Sequence, residues 1–186
     1  MKPCTYEEFG RLFFEEAVSK ERILGVVQGM AGAPVELGPI GVGPGRAAEA
    51  TATGQMGEAS AERLDGDMIR YRVTIPVSLD FEVNLQVDKH RFHGEMVIPL
   101  HIQARATEDL KIVIDIEPPK ARDVKLDLKA SGLRASMLQK VAGIDAEVKR
   151  FVVKYVEREL EKPEVTKTQL VDVGASIEAT WAGMGA

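Results

Sequence analysis

Residues 77–87 read Val77-Ser78-Leu79-Asp80-Phe81-Glu82-Val83-Asn84-Leu85-Gln86-Val87, apolar at every odd position and polar at every even one. Side chains along a strand point alternately to opposite faces, so this stretch reads as a half-buried antiparallel strand. The alternation resumes on even numbers at Phe92, Met96, Ile98, Leu100, Ile102 and Ala104. With Lys89-His90 as the turn, Val87 faces Phe92, Val83 faces Met96, Phe81 faces Ile98, Leu79 faces Leu100 and Val77 faces Ile102. Lys-His is not a favoured two-residue turn, and a longer loop of the same parity is the alternative. Every pair then joins apolar to apolar, as a hairpin with one buried face requires.

Working outward, Ile69, Tyr71, Val73 and Ile75 form a further run, which Pro76 either ends or kinks. Proline cannot donate to a ladder and belongs at an edge, an end or a bulge. Pro99 falls inside a strand that this scheme makes internal, and a bulge or sharp bend is expected there. A second hairpin turns at Thr107-Glu108-Asp109, with Ala106 opposite Leu110, Ala104 opposite Ile112 and Ile102 opposite Ile114. Pro118-Pro119 ends that strand, and Val124, Leu126 and Leu128 start another.

Helical patterns flank the strands. Thr5 and Glu8 form a capping box ahead of Phe9, Leu12, Phe13, Ala17, Leu24 and Val27, giving a helix over residues 6–28. Met137, Val141, Ile144, Val148, Phe151 and Tyr155, flanked by Val152, Val156 and Leu160, mark a long amphipathic helix over 134–161 that Pro163 stops. A break is expected at Gly143-Ile144-Asp145. Val171, Val173, Ala175, Ile177, Ala179 and Trp181 alternate again and read as a last strand.

The fold class expected is therefore α+β: a long, strongly twisted antiparallel meander wrapped around a long C-terminal amphipathic helix, with an N-terminal helix. One domain spans residues 1–186. Within it, 1–32 hold the first helix and 33–67 a Gly/Pro-rich connection with weak strands. The meander takes 68–130, the long helix 131–162 and the final strand 165–182.

Composition narrows the function. A net charge of −5 argues against a general nucleic-acid binder. No apolar run approaches the roughly 20 residues of a membrane-spanning helix. The first residues lack the basic-then-apolar pattern of a secretion signal, so a cytoplasmic location is the expectation. The single Cys4 leaves no internal disulfide. The glycine-rich stretch 38–45 is not followed by Lys-Ser/Thr and reads as turns rather than a phosphate loop.

His93 and His101 share the polar face roughly 26 Å apart at about 3.3 Å per residue, too far for one ion. No metal or cofactor is expected. Asp80, Glu82, Glu95, Asp115 and Glu117 also fall on polar faces, where solvated carboxylates are poor general acids or bases. Lys120, Arg122, Lys125 and Lys129, continued by Arg134 and Lys140, form a basic cluster. It suits either a solvated face or transient contact with an anionic headgroup or membrane surface.

The order of helix, one-faced strands and long helix resembles the tubular lipid-binding superfamily. The residues carrying the likeness are 77–87, 92–106, 110–116, 124–128 and the 137–160 helix. That resemblance implies a lipid or other apolar ligand held between sheet and helix, without catalysis. The expected cavity lining is Phe81, Val83, Leu85, Phe92, Met96, Ile98 and Leu100, facing Phe151 and Tyr155. The pattern is also similar to helix-grip carriers and small enzymes, in which Tyr71, Asp115 or a histidine would reach inward. A third reading is an interaction module whose helices simply fill the sheet.

Overall fold

The computed structural model describes residues 1–28, 34–46, 48–66, 68–84, 89–130 and 143–184. In chain order its elements are α1 (Tyr6–Ala17), α2 (Lys20–Gln28), β1 (Pro34–Val42), β2 (Ala48–Met56), β3 (Ser60–Leu64), β4 (Ile69–Asn84), β5 (Lys89–Ala106), β6 (Lys111–Glu117) and β7 (Lys125–Ala130). They continue as α3 (Ile144–Leu160), α4 (Pro163–Thr168), β8 (Leu170–Asp172) and α5 (Val173–Met184). The strands form one curled antiparallel sheet, a half-barrel of order β1-β2-β4-β5-β6-β8, with β3 also on β4 and β7 also on β5.

The spine is the β4–β5 hairpin, with strands of 16 and 18 residues. Its faces follow the alternation: odd residues of β4 and the even residues of β5 from Phe92 to Ala104 are buried. Its register differs from the Lys89-His90 expectation. Val77 pairs with Met96 rather than Ile102, and Phe81 pairs with Phe92 rather than Ile98, a shift of six residues. An even shift keeps every side chain on its face, so alternation alone cannot detect it. The second hairpin is likewise displaced, with Ile102 on Ile116 and Ala106 on Ile112. There Thr107 closes the turn by donating its N–H to the Lys111 carbonyl at 2.9 Å, and Leu110 adopts a left-handed φ of 56°. This is a three-residue loop of the expected length, displaced by one residue along the chain.

Both prolines lie inside regular ladder. Pro76 pairs with Val97 and Pro99 with Thr74, with no register shift, so the bulge expected at Pro99 does not occur. The reason is what lies beyond each strand. β3 flanks β4 up to Thr74 and β2 takes over at Val77. β7 flanks β5 up to Val97 and β6 takes over at His101. Pro76 and Pro99 thus sit where the outer neighbour changes and neither outer strand pairs with them. Pro76, rather than ending its strand, is carried within a single β4.

β1 shows a true irregularity between Leu37 and Ile40, at Gly38 with φ 111° and Pro39. The Gly/Pro-rich segment, where weak strands were expected, holds the three strands β1, β2 and β3. Small alternating residues such as Ala48, Ala50 and Ala52 bury their inward side.

The first helix is broken. Thr5 Oγ1 accepts the Glu8 N–H at 3.1 Å, and α1 ends at Ala17. Val18 leaves helical geometry at φ −120°, ψ 42°, and Ile23 N–H returns to the Ser19 carbonyl at 3.0 Å to start α2. The freed Val18 carbonyl accepts the buried Tyr71 hydroxyl at 2.9 Å. Tyr71→Phe leaves that buried carbonyl without its donor, and should cost about 1–3 kcal/mol in urea unfolding. An unchanged midpoint would show the bond to be dispensable.

The expected final strand is the largest correction. Only Leu170–Asp172 pair as a strand, with β6, and Val173–Met184 is helical. Asp172 Oδ1 accepts the Ala175 N–H at 2.8 Å, an N-cap that redirects the alternating run into a helix. α3 begins at Ile144 behind a left-handed Gly143, with φ 59°. Residues 131–142, the first part of the expected long helix, lie outside the described residues. Ile144, Val148 and Val152 are the buried stripe of α3.

Candidate ligand cavity

The core does not close everywhere beneath α3. A cavity of about 400 Å³ opens between the apolar face of the sheet and the C-terminal half of that helix. The sheet side is Val35 and Leu37 of β1, Met56 of β2, Ile75, Val77 and Leu79 of β4, Met96, Ile98, Leu100 and Ile102 of β5, and Ile116 of β6. The helix side is Val27 of α2, Val152, Tyr155, Val156 and Leu160 of α3, and Val165 of α4. On α3 these residues recur three to four apart, which places them on one face.

Protein interiors seldom hold voids larger than a water molecule, which occupies about 30 Å³ in the liquid. A space of this size falls instead in the range of about 300–1,000 Å³ typical of small-molecule sites. Its walls are almost wholly aliphatic, and apart from Tyr71 no residue with a polar side chain is buried among the described ones. Polar groups gather at one end: Tyr155, Glu159, Glu164 and Thr168. Glu159 holds Lys162 Nζ at 2.7 Å. Burial raises the Tyr155 phenol above its ordinary pKa, with the Glu159 charge as a lesser cause.

The sequence-derived lining residues separate into groups. Met96, Ile98, Leu100 and Tyr155 line the cavity. Phe81, Val83 and Phe92 are buried core residues outside that lining. Phe151 lies instead in a shallow outer groove of about 550 Å³ with Ile40, Arg46, Arg150 and Lys154. Leu85 lies outside the described residues. The six-residue register shift places Met96 opposite Val77 at the cavity rather than opposite Val83, and Phe92 opposite Phe81 beyond it. The sequence reading missed Val35 and Leu37, although Pro34-Val35-Glu36-Leu37 alternates, and missed α4, although Pro163 suits a first helical position.

The inward-reaching polar residues of an enzyme reading have other partners. Tyr71 is bonded to Val18. Asp115 binds Arg105 Nε at 2.7 Å on the exposed side. His101 is exposed, and the described residues contain no group of three potential metal ligands.

His93 has a defined environment: Nδ1 lies 3.0 Å from Asp80 and Nε2 lies 2.9 Å from Glu95. The Asp80 bond first, and the Glu95 bond second, raise its pKa above 6.5. A folded-state pKa above the unfolded value gives stability that is complete below about pH 6.5 and is lost as pH rises through the raised value. The difference in urea midpoint between wild type and His93→Gln should therefore be larger near pH 5.5 than near pH 9. Equal differences at both values would contradict it.

Lys120, Arg122, Lys125 and Lys129 are all exposed. Asp127 separates the two lysines of β7, its strand partner is Glu95, and Arg122 lies 3.6 Å from Asp123. Cations and anions therefore alternate on this face. Arg134 and Lys140 lie outside the described residues. Apolar side chains are exposed elsewhere, at Tyr6, Phe9, Leu12 and Phe13 of α1 and at Ile177, Trp181 and Met184 of α5. No helix among the described residues is long and apolar enough to cross a membrane. Compared with protein families, curated proteins and solved structures, the chain matches none of them.

Proposed function

We propose that this protein is a noncatalytic binder or carrier of a lipid or other apolar small molecule, held between the sheet and α3 in the manner of tubular lipid-binding domains. The observation that carries the reading is the aliphatic space of about 400 Å³ beneath residues 152–160. Apolar walls favour a hydrophobic occupant, because burying apolar surface is worth roughly 25 cal/mol per Å². The enzyme reading has less support, since the cavity lacks a cluster of titratable groups deep inside it. Headgroup contact by Lys120, Arg122, Lys125 and Lys129 also has less support, because acidic side chains share their face.

Native mass spectrometry of the protein as purified, and again after solvent extraction and reloading with a single-chain amphiphile, tests the reading. We expect a bound mass lost on extraction and regained at one equivalent. A protein that takes up no amphiphile after extraction sinks it.

A further inference from the structure

The polar end of the cavity has a chemical bias that selects the ligand's head. Its polar lining residues are Tyr155, Glu159, Glu164 and Thr168, with no lysine, arginine or histidine among the lining residues described. The Thr168 hydroxyl already donates to the Val165 carbonyl at 2.7 Å, so its oxygen is left to accept. Both carboxylates accept hydrogen bonds and carry negative charge at neutral pH. Of the cations near Tyr155, Lys162 is held by Glu159 at 2.7 Å, and Arg158 is exposed on α3 outside the lining. The mouth is therefore dominated by acceptors, with the Glu159 charge offset by Lys162 and Glu164 left to set its negative character.

We infer that the ligand carries a hydrogen-bond-donating head, a hydroxyl or an amine, on a single apolar chain or compact apolar body, and that carboxylate-headed lipids are rejected. This rests on the carrier reading above and adds the ligand class to it. A donor head pairs with Glu159 and Glu164, and an amine adds charge assistance. A carboxylate head meets like charge at short range and has no free cation in the lining. The cavity's about 400 Å³ lies near the lower end of small-molecule sites, which suits one chain rather than a two-chain lipid.

The experiment titrates decanol, decylamine and decanoate against a bound fluorescent apolar probe, near pH 7.5 and below micelle formation. Decanol and decylamine should each displace the probe at a concentration at least about tenfold below that of decanoate. In a variant combining Glu159→Gln with Glu164→Gln, the ratio of decanoate to decanol displacement concentrations should shrink to about threefold or less, because decanol loses its carboxylate acceptors while decanoate loses the repulsion. Decanoate binding as well as decanol overturns the head assignment while leaving the cavity reading intact. A penalty unchanged in the double variant also overturns it, because the selection would then arise elsewhere. Displacement by none of the three overturns the carrier reading and this inference together.

Discussion

Phe81→Ala is expected to cost about 3–5 kcal/mol of folding stability while changing the affinity of the folded protein for an apolar ligand by less than about twofold. Phe81 is 2% exposed and lies where three strands meet, paired with Ala52 of β2 and Phe92 of β5. Its ring fills space that Gly94 leaves open: a Cβ at Gly94 would stand 2.8 Å from Phe81 Cε2 and 2.9 Å from Leu128 Cδ2. Truncation therefore removes apolar burial and leaves a void that rigid strand backbones cannot close. Domains of this kind are stable by only about 5–15 kcal/mol, so the loss is a large share of the total. Urea unfolding measures the first quantity and probe titration at low urea the second. A small stability loss with a large affinity loss would place Phe81 in the ligand site instead.

Ile98→Trp is expected to do the reverse. Ile98 lines the cavity and is 8% exposed. The larger indole grows into that space, so it should lower affinity at least about tenfold with no fall in melting temperature. In a filled core the same change would overpack and cost about 1–3 kcal/mol. Destabilisation of that size, with binding retained, would mean that the space between sheet and helix is occupied by the protein itself. Together the two substitutions separate what holds the fold from what holds the ligand.

The sheet's faces were legible in the sequence because alternation reports side-chain direction. Val77, Leu79 and Phe81 point inward as read, and Ser78, Asp80 and Glu82 do not. The register was not legible. Any even displacement of Phe92–Ala106 against Ile69–Val83 satisfies the same pattern, and the observed one depends on where the strands meet, at Asn84 and Lys89. Pro76 and Pro99 became intelligible only with the order of the outer strands, a property of the whole sheet. The run from Val171 to Trp181 misled because its period of two was carried partly by alanines, which favour helix. Asp172 was the overlooked signal, since its carboxylate caps the helix that follows.

The cavity was the least legible feature. It is a shortage of atoms among residues from β1, β2, β4, β5, β6, α2, α3 and α4. No local pattern encodes how completely such distant faces meet. Val152 and Val156 are ordinary core-facing residues by spacing, and the same spacing would serve a filled core.

The most direct test is methyl-detected solution NMR on isotopically labelled protein with one equivalent of decanol. Intermolecular NOEs from the decanol chain to the methyls of Ile75, Ile98, Ile102 and Ile116 are predicted, because these residues line the cavity. NOEs confined to Leu110, Leu170 and Ile177, which are exposed on the outside of the molecule, would contradict the account and place the apolar contact on the surface.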